Sequence, residues 1–290
     1  MEAGLILSRF GHFAALALLV GVGWAPVYAD LSAVKPGLRW IQRAAILMAL
    51  FSGLSWFAFA VAGMAGTPSA ALDLAALQST LQDTSFGHVW LVRVSGILLF
   101  ALLLMAPSPR RFRWGVETLL AAALLASIAL TGHAQAREGS ALLVHETADA
   151  LHLLAAGVWL GALAVLVALL SRSGTATGAE RARTALHRFS TTGMIAVGLI
   201  VLTGVVNGYF LVGSLGPLVT TPYGQLLCLK IALFGGMVGL AALNRRAAQR
   251  AGEASLKSMT ARVAMEQLLG LCVLAAVALL GTMAPAAEMA

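Results

Sequence analysis

Three polar side chains share one face of a long apolar segment that starts near residue 144. His145, Asp149 and His152 follow each other at intervals of four and three residues, and Trp159 comes one heptad after His152. On an α-helix these positions lie along one side. Imidazole is a common ligand for copper, zinc, iron and nickel, and a carboxylate beside it orients the ring or lowers the cost of a bound cation. The stripe therefore predicts a metal-binding or transport role, with helix-to-helix hydrogen bonding as the plainer alternative.

The composition indicates which kind of protein carries this stripe. Of the 290 residues, 60% are hydrophobic and only 11% are charged, whereas soluble domains carry about 25% charged residues. The chain lacks the polar surface of a soluble domain, so we predict an all-α integral membrane protein. Cys228 and Cys272 both lie in apolar runs, and we expect them to be packing residues.

The sequence contains eight runs of the length that a membrane-spanning helix needs, about 20 mostly apolar residues. They cover roughly residues 4–29, 44–66, 87–106, 115–134, 145–170, 190–213, 222–243 and 263–284. No basic residue precedes the first run, in which the first charge is Glu2, so we expect a retained transmembrane helix there and not a cleaved signal peptide. We predict eight transmembrane helices with no soluble domain between them.

The basic residues are distributed unevenly among the loops. Fifteen of the nineteen Lys and Arg residues follow the first, third, fifth and seventh runs, and Arg137 alone lies in an opposite loop. Cytoplasmic loops carry such an excess, so we expect both termini in the periplasm and a multi-pass protein of the bacterial inner (plasma) membrane. This orientation explains the net charge of +7. Membrane lipid is therefore the expected surrounding, and no nucleic-acid partner is expected.

The second half of the sequence resembles the first. Three matches follow the same order in both halves: the apolar runs that start at Glu117 and Glu266, the Gly-x5-basic patterns that end at Arg93 and Lys230, and His12 and His152, each with a glycine nine residues later. We predict a four-plus-four duplication into residues 1–143 and 144–290. Each half has an even number of spans, so the two copies would share one orientation, as in parallel-repeat transporters.

Five of the six histidines are predicted to lie in the periplasmic half of the bundle. From the surface inwards the candidate metal ligands are His88, His133, His145, His152 and His12. Ionisable groups are costly in hydrocarbon and usually face the bundle interior and find partners. Arg93 and Lys230 would pair with Asp149 or an anion, or hydrogen-bond backbone carbonyls, and the sequence leaves these alternatives open.

Three motifs follow one another in the second half. They are His-x6-Trp-x-Gly from His152, Thr-Gly-x-x-Asn from Thr203, and Thr-x-Tyr-Gly-x5-Lys from Thr221. With "HRFS" at 187–190 and the closing "ARVAMEQLLGLCVLAAVALLGTMAP", they span most of residues 150–285. This arrangement resembles the copper resistance protein D family of bacterial inner-membrane proteins. The first half matches mainly in its number of spans and in His12.

The resemblance implies an eight-helix inner-membrane protein that moves copper from the periplasm to the cytoplasm. The residues carried over by position are His152, Trp159, Asn207, Tyr223 and Lys230. Members of the family often act with a small periplasmic copper-binding protein of the copper resistance protein C type. This sequence contains no such domain, so that partner would be a separate chain.

These observations predict a copper transport protein and not an enzyme. Copper would enter at the outer histidines and pass to His152 and His12, with Asp149 in support. The alternative is a membrane cytochrome in which His12 and His152 bind haem b and nearby Arg or Lys side chains hold the propionates. A third reading is a subunit that only docks a periplasmic copper carrier.

Overall fold

The computed structural model describes residues 2–32, 34–106, 110–132, 139–249 and 254–288, and these ranges are helical with no β-strand. The α-helices are α1 (Glu2–Trp24), α2 (Lys35–Ala65), α3 (Leu74–Asp83), α4 (Ser85–Met105), α5 (Arg110–Ala126), α6 (Gly139–Leu170), α7 (Ala176–Val212), α8 (Leu215–Thr220), α9 (Pro222–Gln249) and α10 (Ala254–Leu280). The predicted all-α fold class is confirmed.

Eight of these helices, all except α3 and α8, contain segments long and apolar enough to cross a membrane. This confirms the predicted number of spans for the described ranges. Because short connections join the spans, we expect successive spans to run in opposite directions and both chain ends to lie at one end of the bundle, which we call the terminal face. The opposite end, where α1 finishes and α2 begins, is called the basic face. Which side of the membrane each face occupies stays a prediction, as does the duplication.

Two helices begin well before the apolar runs that predicted them. Helix α2 starts at Lys35 instead of residue 44, and α7 starts at Ala176 instead of residue 190. Hydropathy detects only the part of a helix that is apolar, whereas the polar turns before it continue the same backbone hydrogen bonding. Helix α6 likewise starts at Gly139, so His145 lies inside the helix and not at its beginning.

The short helices α3 and α8 were not predicted. Each directly precedes a long helix, α4 and α9 respectively, and packs against its first turn. Thr84 follows α3 and its Oγ1 accepts a hydrogen bond from Gly87 N at 2.9 Å, and Thr221 accepts from Gly224 N at 3.0 Å after α8. A Cβ at either glycine would collide with backbone of the preceding short helix. The Gly-x5-basic match therefore marks two caps of the same geometry.

Helices α1 and α6 form the centre of the bundle and pack directly against each other. Helix α1 also contacts α2 and α5, and α6 contacts α7 and α10. At the crossing, a Cβ on Gly21 would overlap the backbone of Gly161, and a Cβ on Gly161 would overlap the backbone of Ala17 and Gly21. Small residues allow membrane helices to approach this closely. The central contact therefore joins two glycines at matching positions of the two halves.

Replacing Gly161 with alanine is expected to lower the free energy of unfolding by about 1–3 kcal/mol, because the added methyl group must separate two backbones. Thermal unfolding of the purified protein in detergent measures the change. Gly198→Ala in α7 is the matched control, since nothing lies within 4 Å of a Cβ at that position. Equal stability of the two variants would contradict the close α1–α6 contact.

Candidate functional site

A group of polar side chains from α6, α7 and α9 lies on the terminal-face side of the second half. We call it the C-terminal cluster, and it consists of Asp149, His152, Thr203, Asn207 and Lys230. Asp149 and His152 are half-buried, and Asn207 is only 9% exposed. Helix α6 places its two members three residues apart on one face. The structure thereby brings together the carboxylate and the deeper imidazole of the predicted stripe.

The hydrogen bonds of Thr203 determine which nitrogen of His152 carries the proton. His152 Nδ1 lies 3.0 Å from Thr203 Oγ1, and that hydroxyl donates to the Leu199 carbonyl at 2.6 Å. The threonine proton is thus engaged, so Nδ1–H of His152 donates to the threonine oxygen. In the neutral ring, Nε2 then carries the lone pair. This is the arrangement in which an imidazole binds a metal ion.

Asn207 and Asp149 add oxygen acceptors to the same cluster. Asn207 Nδ2 donates to Asp149 Oδ1 at 3.3 Å. Because a carboxylate only accepts, the amide NH2 must face it and Asn207 Oδ1 points elsewhere. That oxygen is buried and has no hydrogen-bond partner in the described ranges. The cluster therefore offers one imidazole nitrogen, one carboxylate and one amide oxygen, all of which favour a cation.

Lys230 supplies the positive charge that offsets Asp149. Its ammonium group interacts electrostatically with both Asp149 and His152. Within the described ranges no ion pair joins Lys230 to Asp149, so their interaction is a longer-range attraction. A cation at Asp149 would compete with this lysine for the carboxylate.

A second cluster of polar and aromatic side chains occupies the matching place in the first half. We call it the N-terminal cluster, and it consists of Arg9, His12, Ser52, Trp56, Trp90 and Arg93. His12 is fully buried, its Nδ1 donates to the Ala49 carbonyl at 3.0 Å, and Ser52 Oγ lies 3.4 Å from the same nitrogen. Its Nε2 is again the acceptor of the neutral ring. Trp56 and Trp90 flank the imidazole, each with a centroid distance of 5.7 Å.

The two clusters match position by position but differ in charge. On α2, Ser52 and Gly53 lie against the His12 ring. On α7, Thr203 and Gly204 lie against the His152 ring in the same way. Trp56, four residues after Ser52, occupies the place that Asn207 holds after Thr203. The first cluster thus has an indole and arginines where the second has an amide, a carboxylate and a lysine. The sequence pattern did not single out Ser52, and it marked Thr203 only as the start of the Thr-Gly-x-x-Asn motif, without a role at His152. The shared spacing of both residues to the next polar or aromatic residue is the signal that indicates them.

Arg93 binds the end of α5 rather than a carboxylate. Its Nε donates to Ser127 Oγ at 3.0 Å, and its Nη2 donates to the Ser127 carbonyl at 2.7 Å and to Thr131 Oγ1 at 3.2 Å. Carbonyls at a helix C-terminus carry partial negative charge and attract a guanidinium. Of the alternatives that the sequence left open, hydrogen bonding to backbone therefore applies to Arg93.

The other candidate ligands lie apart from the two clusters. His88 is exposed at the start of α4, where its Nε2 donates to the Gln82 carbonyl at 2.9 Å. His145 is 2% exposed and stacks on Phe210 at a centroid distance of 4.8 Å. His133 lies outside the described residues. Within the described ranges, no three His, Cys, Asp or Glu side chains converge on one point.

Trp159 and Tyr223 are buried residues of the second half. Trp159 Nε1 donates to Glu266 Oε1 at 2.9 Å, towards the basic face. Tyr223 is 2% exposed, packs with Val212 and Leu280, and interacts electrostatically with Asp149. Both residues therefore support the helices around the cluster.

Comparison with known proteins identifies the family. The model for the N-terminal domain of copper resistance protein D-like proteins matches residues 1–143, and the copper resistance protein D model matches residues 183–280. Copper resistance protein D of Pseudomonas syringae pv. tomato is 32% identical in an alignment of 306 positions, gaps included, that covers 98% of this chain and 97% of that protein. The chain belongs to the copper resistance protein D family.

Two further relatives of this chain are matched over different shares of their own length. Inner membrane protein YebZ of Escherichia coli (strain K12) is 32% identical over 83% of this chain and 82% of its own length. Copper transport protein CutJ of Bacillus subtilis (strain 168) is 33% identical over 58% of this chain but only 32% of its own length. No solved structure matches. The predicted family and multi-pass inner-membrane location are confirmed, and the haem alternative finds no support among these relatives.

Proposed function

We propose that this protein moves copper ions across the inner membrane from the periplasm to the cytoplasm through the C-terminal cluster. The observation that carries the proposal is the set of acceptors there: His152 Nε2, the Asp149 carboxylate and Asn207 Oδ1. Copper is bound well by imidazole nitrogen. The choice of copper as the transported metal rests on the names of the family and of the relative CutJ.

The direction follows from the charge of the loops. If the basic face is cytoplasmic, as the positive-inside rule predicts, the C-terminal cluster lies nearer the periplasm. His145 then stands one turn of α6 before Asp149, and His88 stands at the periplasmic surface. A membrane potential that is negative inside favours inward movement of a cation by about 2.3 kcal/mol per charge per 100 mV. Copper would thus pass the outer histidines first and be released towards the cytoplasm after His152.

The role of His12 in this scheme stays a prediction. Its ring has the same proton arrangement as His152, but Arg93 interacts electrostatically with it and no carboxylate belongs to the N-terminal cluster. Positive charge beside the imidazole disfavours a metal cation. We therefore place copper at the C-terminal cluster. A separate periplasmic copper-binding protein of the copper resistance protein C type would deliver the metal, and no catalysis is involved.

Liposomes that contain the purified protein and no partner test the proposal directly. With a copper-sensitive indicator inside and a potential that is negative inside, we expect copper to accumulate faster than in protein-free liposomes. A protein that only docks a periplasmic carrier would leave uptake at the protein-free rate. That result, with the protein correctly inserted, would contradict transport by this chain alone.

Thr203→Val is expected to raise the copper concentration for half-maximal uptake about 10–100-fold, the usual cost of removing a group that orients a metal-binding histidine. Valine has nearly the same shape but cannot accept the Nδ1–H bond of His152. Thr203→Ser keeps the hydroxyl and should behave like the unmodified protein. If valine and serine at this position give the same concentration dependence, the threonine does not orient a copper ligand.

A further inference from the structure

The N-terminal cluster contains two positive charges that share one aromatic side chain. The Arg9 guanidinium carbon lies 4.6 Å from the centre of the Trp56 ring, and that of Arg93 lies 5.8 Å from it. Arg93 also lies 4.6 Å from the centre of Trp90. The two guanidinium groups are close enough to repel each other. Stacking on an indole face stabilises each of them, but it leaves their charge uncompensated.

Three N–H groups of this cluster are buried without a hydrogen-bond partner in the described ranges. They are Arg9 Nε, Arg93 Nη1 and Trp90 Nε1. Trp90 is 1% exposed and Arg93 is fully buried. Buried polar groups are almost always hydrogen-bonded, because an unpaired donor loses its interaction with water and gains nothing. Three unpaired donors in one place indicate an acceptor that all three share.

Charge gives an independent argument for the same conclusion. Within the described ranges, neither Arg9 nor Arg93 forms an ion pair, whereas Arg39, Arg113 and Arg181 each contact a carboxylate. Lys230, at the position that matches Arg93, has Asp149 beside it. Unpaired charge inside a membrane is costly. The missing partner of the two arginines is therefore an anion that the described residues do not supply.

Access to this cluster runs along the Arg9 side chain. Arg9 is only half-buried, and a Cβ on Gly281, the residue that follows α10, would overlap its guanidinium group. Because Gly281 lies at the terminal face, the arginine reaches that end of the bundle. Arg9, the less buried of the two arginines, is therefore where a ligand would first meet the cluster.

We infer that Arg9, Arg93 and Trp90 bind a phosphate group, carried either by a phospholipid or by free inorganic phosphate. Guanidinium groups match the oxygens of a phosphate with paired, charge-assisted hydrogen bonds, and the indole N–H donates a further bond. His12 Nε2 is the one unpaired acceptor of the cluster. A water or a phosphate hydroxyl beside the anion satisfies it. The first half of the protein is thus an anion site, and the second half is a cation site.

The phosphorus content of the full-length protein, purified in detergent and phosphate-free buffer, tests this inference. We expect one phosphorus atom per chain to be retained by the site. Extraction into organic solvent identifies it as phospholipid, and phosphorus that stays in water identifies inorganic phosphate. If the protein retains none, titration with inorganic phosphate after lipid removal must show binding. Absence of both retention and binding overturns the inference.

Arg9→Gln is the decisive variant, because Arg93 also holds the end of α5. It is expected to weaken phosphate binding about tenfold or more, as the loss of a charge-assisted hydrogen bond does. Arg43→Gln is the matched control, since Arg43 is exposed and stacks on Trp40 at 5.4 Å near the basic face. Unchanged binding in Arg9→Gln, or an equal decrease in both variants, overturns the inference, and so does binding of chloride in place of phosphate.

Discussion

Replacing His152 with alanine is expected to lower copper uptake into protein-containing liposomes about 10–100-fold or more, since it removes a metal ligand itself and not only a group that orients one. The ring presents Nε2 as an acceptor because Nδ1–H is held by Thr203. Alanine leaves Asp149 and Asn207 as the acceptors of the cluster, and Lys230 then competes with copper for the carboxylate. Both the copper bound per chain and the rate of uptake should decrease.

Two other histidines provide the comparison for this variant. His187→Ala changes an exposed residue of α7 near the basic face and should leave uptake unchanged. His12→Ala removes the matching imidazole of the first half. We expect a smaller decrease than for His152→Ala, because two arginines already disfavour a cation there. Normal uptake by a well-expressed His152→Ala protein would contradict transport through the C-terminal cluster.

Replacing Glu117 with glutamine is expected to lower the free energy of unfolding by about 3 kcal/mol, near the low end for breaking a buried ion pair. Glu117 is 1% exposed and contacts Arg39 at 2.8 Å and Arg113 at 3.4 Å. Without the carboxylate, two guanidinium groups remain at a site that offers them no other anion in the described ranges. The expected loss of stability lies at the low end of that range because the side chains of Arg39 and Arg113 are both partly exposed to water. Unfolding in mixed detergent micelles measures the change.

An exposed ion pair of the same protein is the control for this measurement. Asp30 and Arg181 lie 3.1 Å apart, but their side chains are 56% and 35% exposed. Surface pairs contribute about 0–1 kcal/mol, so Asp30→Asn should change stability little. If Glu117→Gln costs no more than Asp30→Asn, the three-residue network does not join α2 to α5 energetically.

The two glutamates that the sequence alignment matches have different partners. Glu117 is neutralised by two arginines, whereas Glu266 accepts from the neutral groups Trp159 Nε1 at 2.9 Å and Asn244 Nδ2 at 3.3 Å. Arg262 contacts Asn244 instead of the carboxylate, through a 2.9 Å hydrogen bond. The sequence alignment of the two halves predicts that these carboxylates are equivalent. It does not predict their partners, because those come from helices that differ between the halves.

The sequence alone determined the features that depend on each segment by itself. Composition and apolar run length predicted eight spans, because the cost of placing polar groups in hydrocarbon acts on every residue separately. The spacing of Asp149 and His152 placed them on one face, because helical periodicity is a local property. The same reasoning missed the early starts of α2 and α7, since helix formation continues beyond the apolar part.

Only the tertiary structure decided which side chains share a site. It joined Asp149 to Asn207 on α7, and it placed His12 among Arg9, Trp56 and Arg93. The sequence treated His12 and His152 as equivalent ligands because their own helices are alike. The residue three positions before each histidine already differs in charge, Arg9 on α1 and Asp149 on α6. The remaining partners lie on α2 and α4 in one half and on α7 and α9 in the other. Sequence spacing and helix packing together therefore place one imidazole near a carboxylate and a lysine, and the other near two arginines.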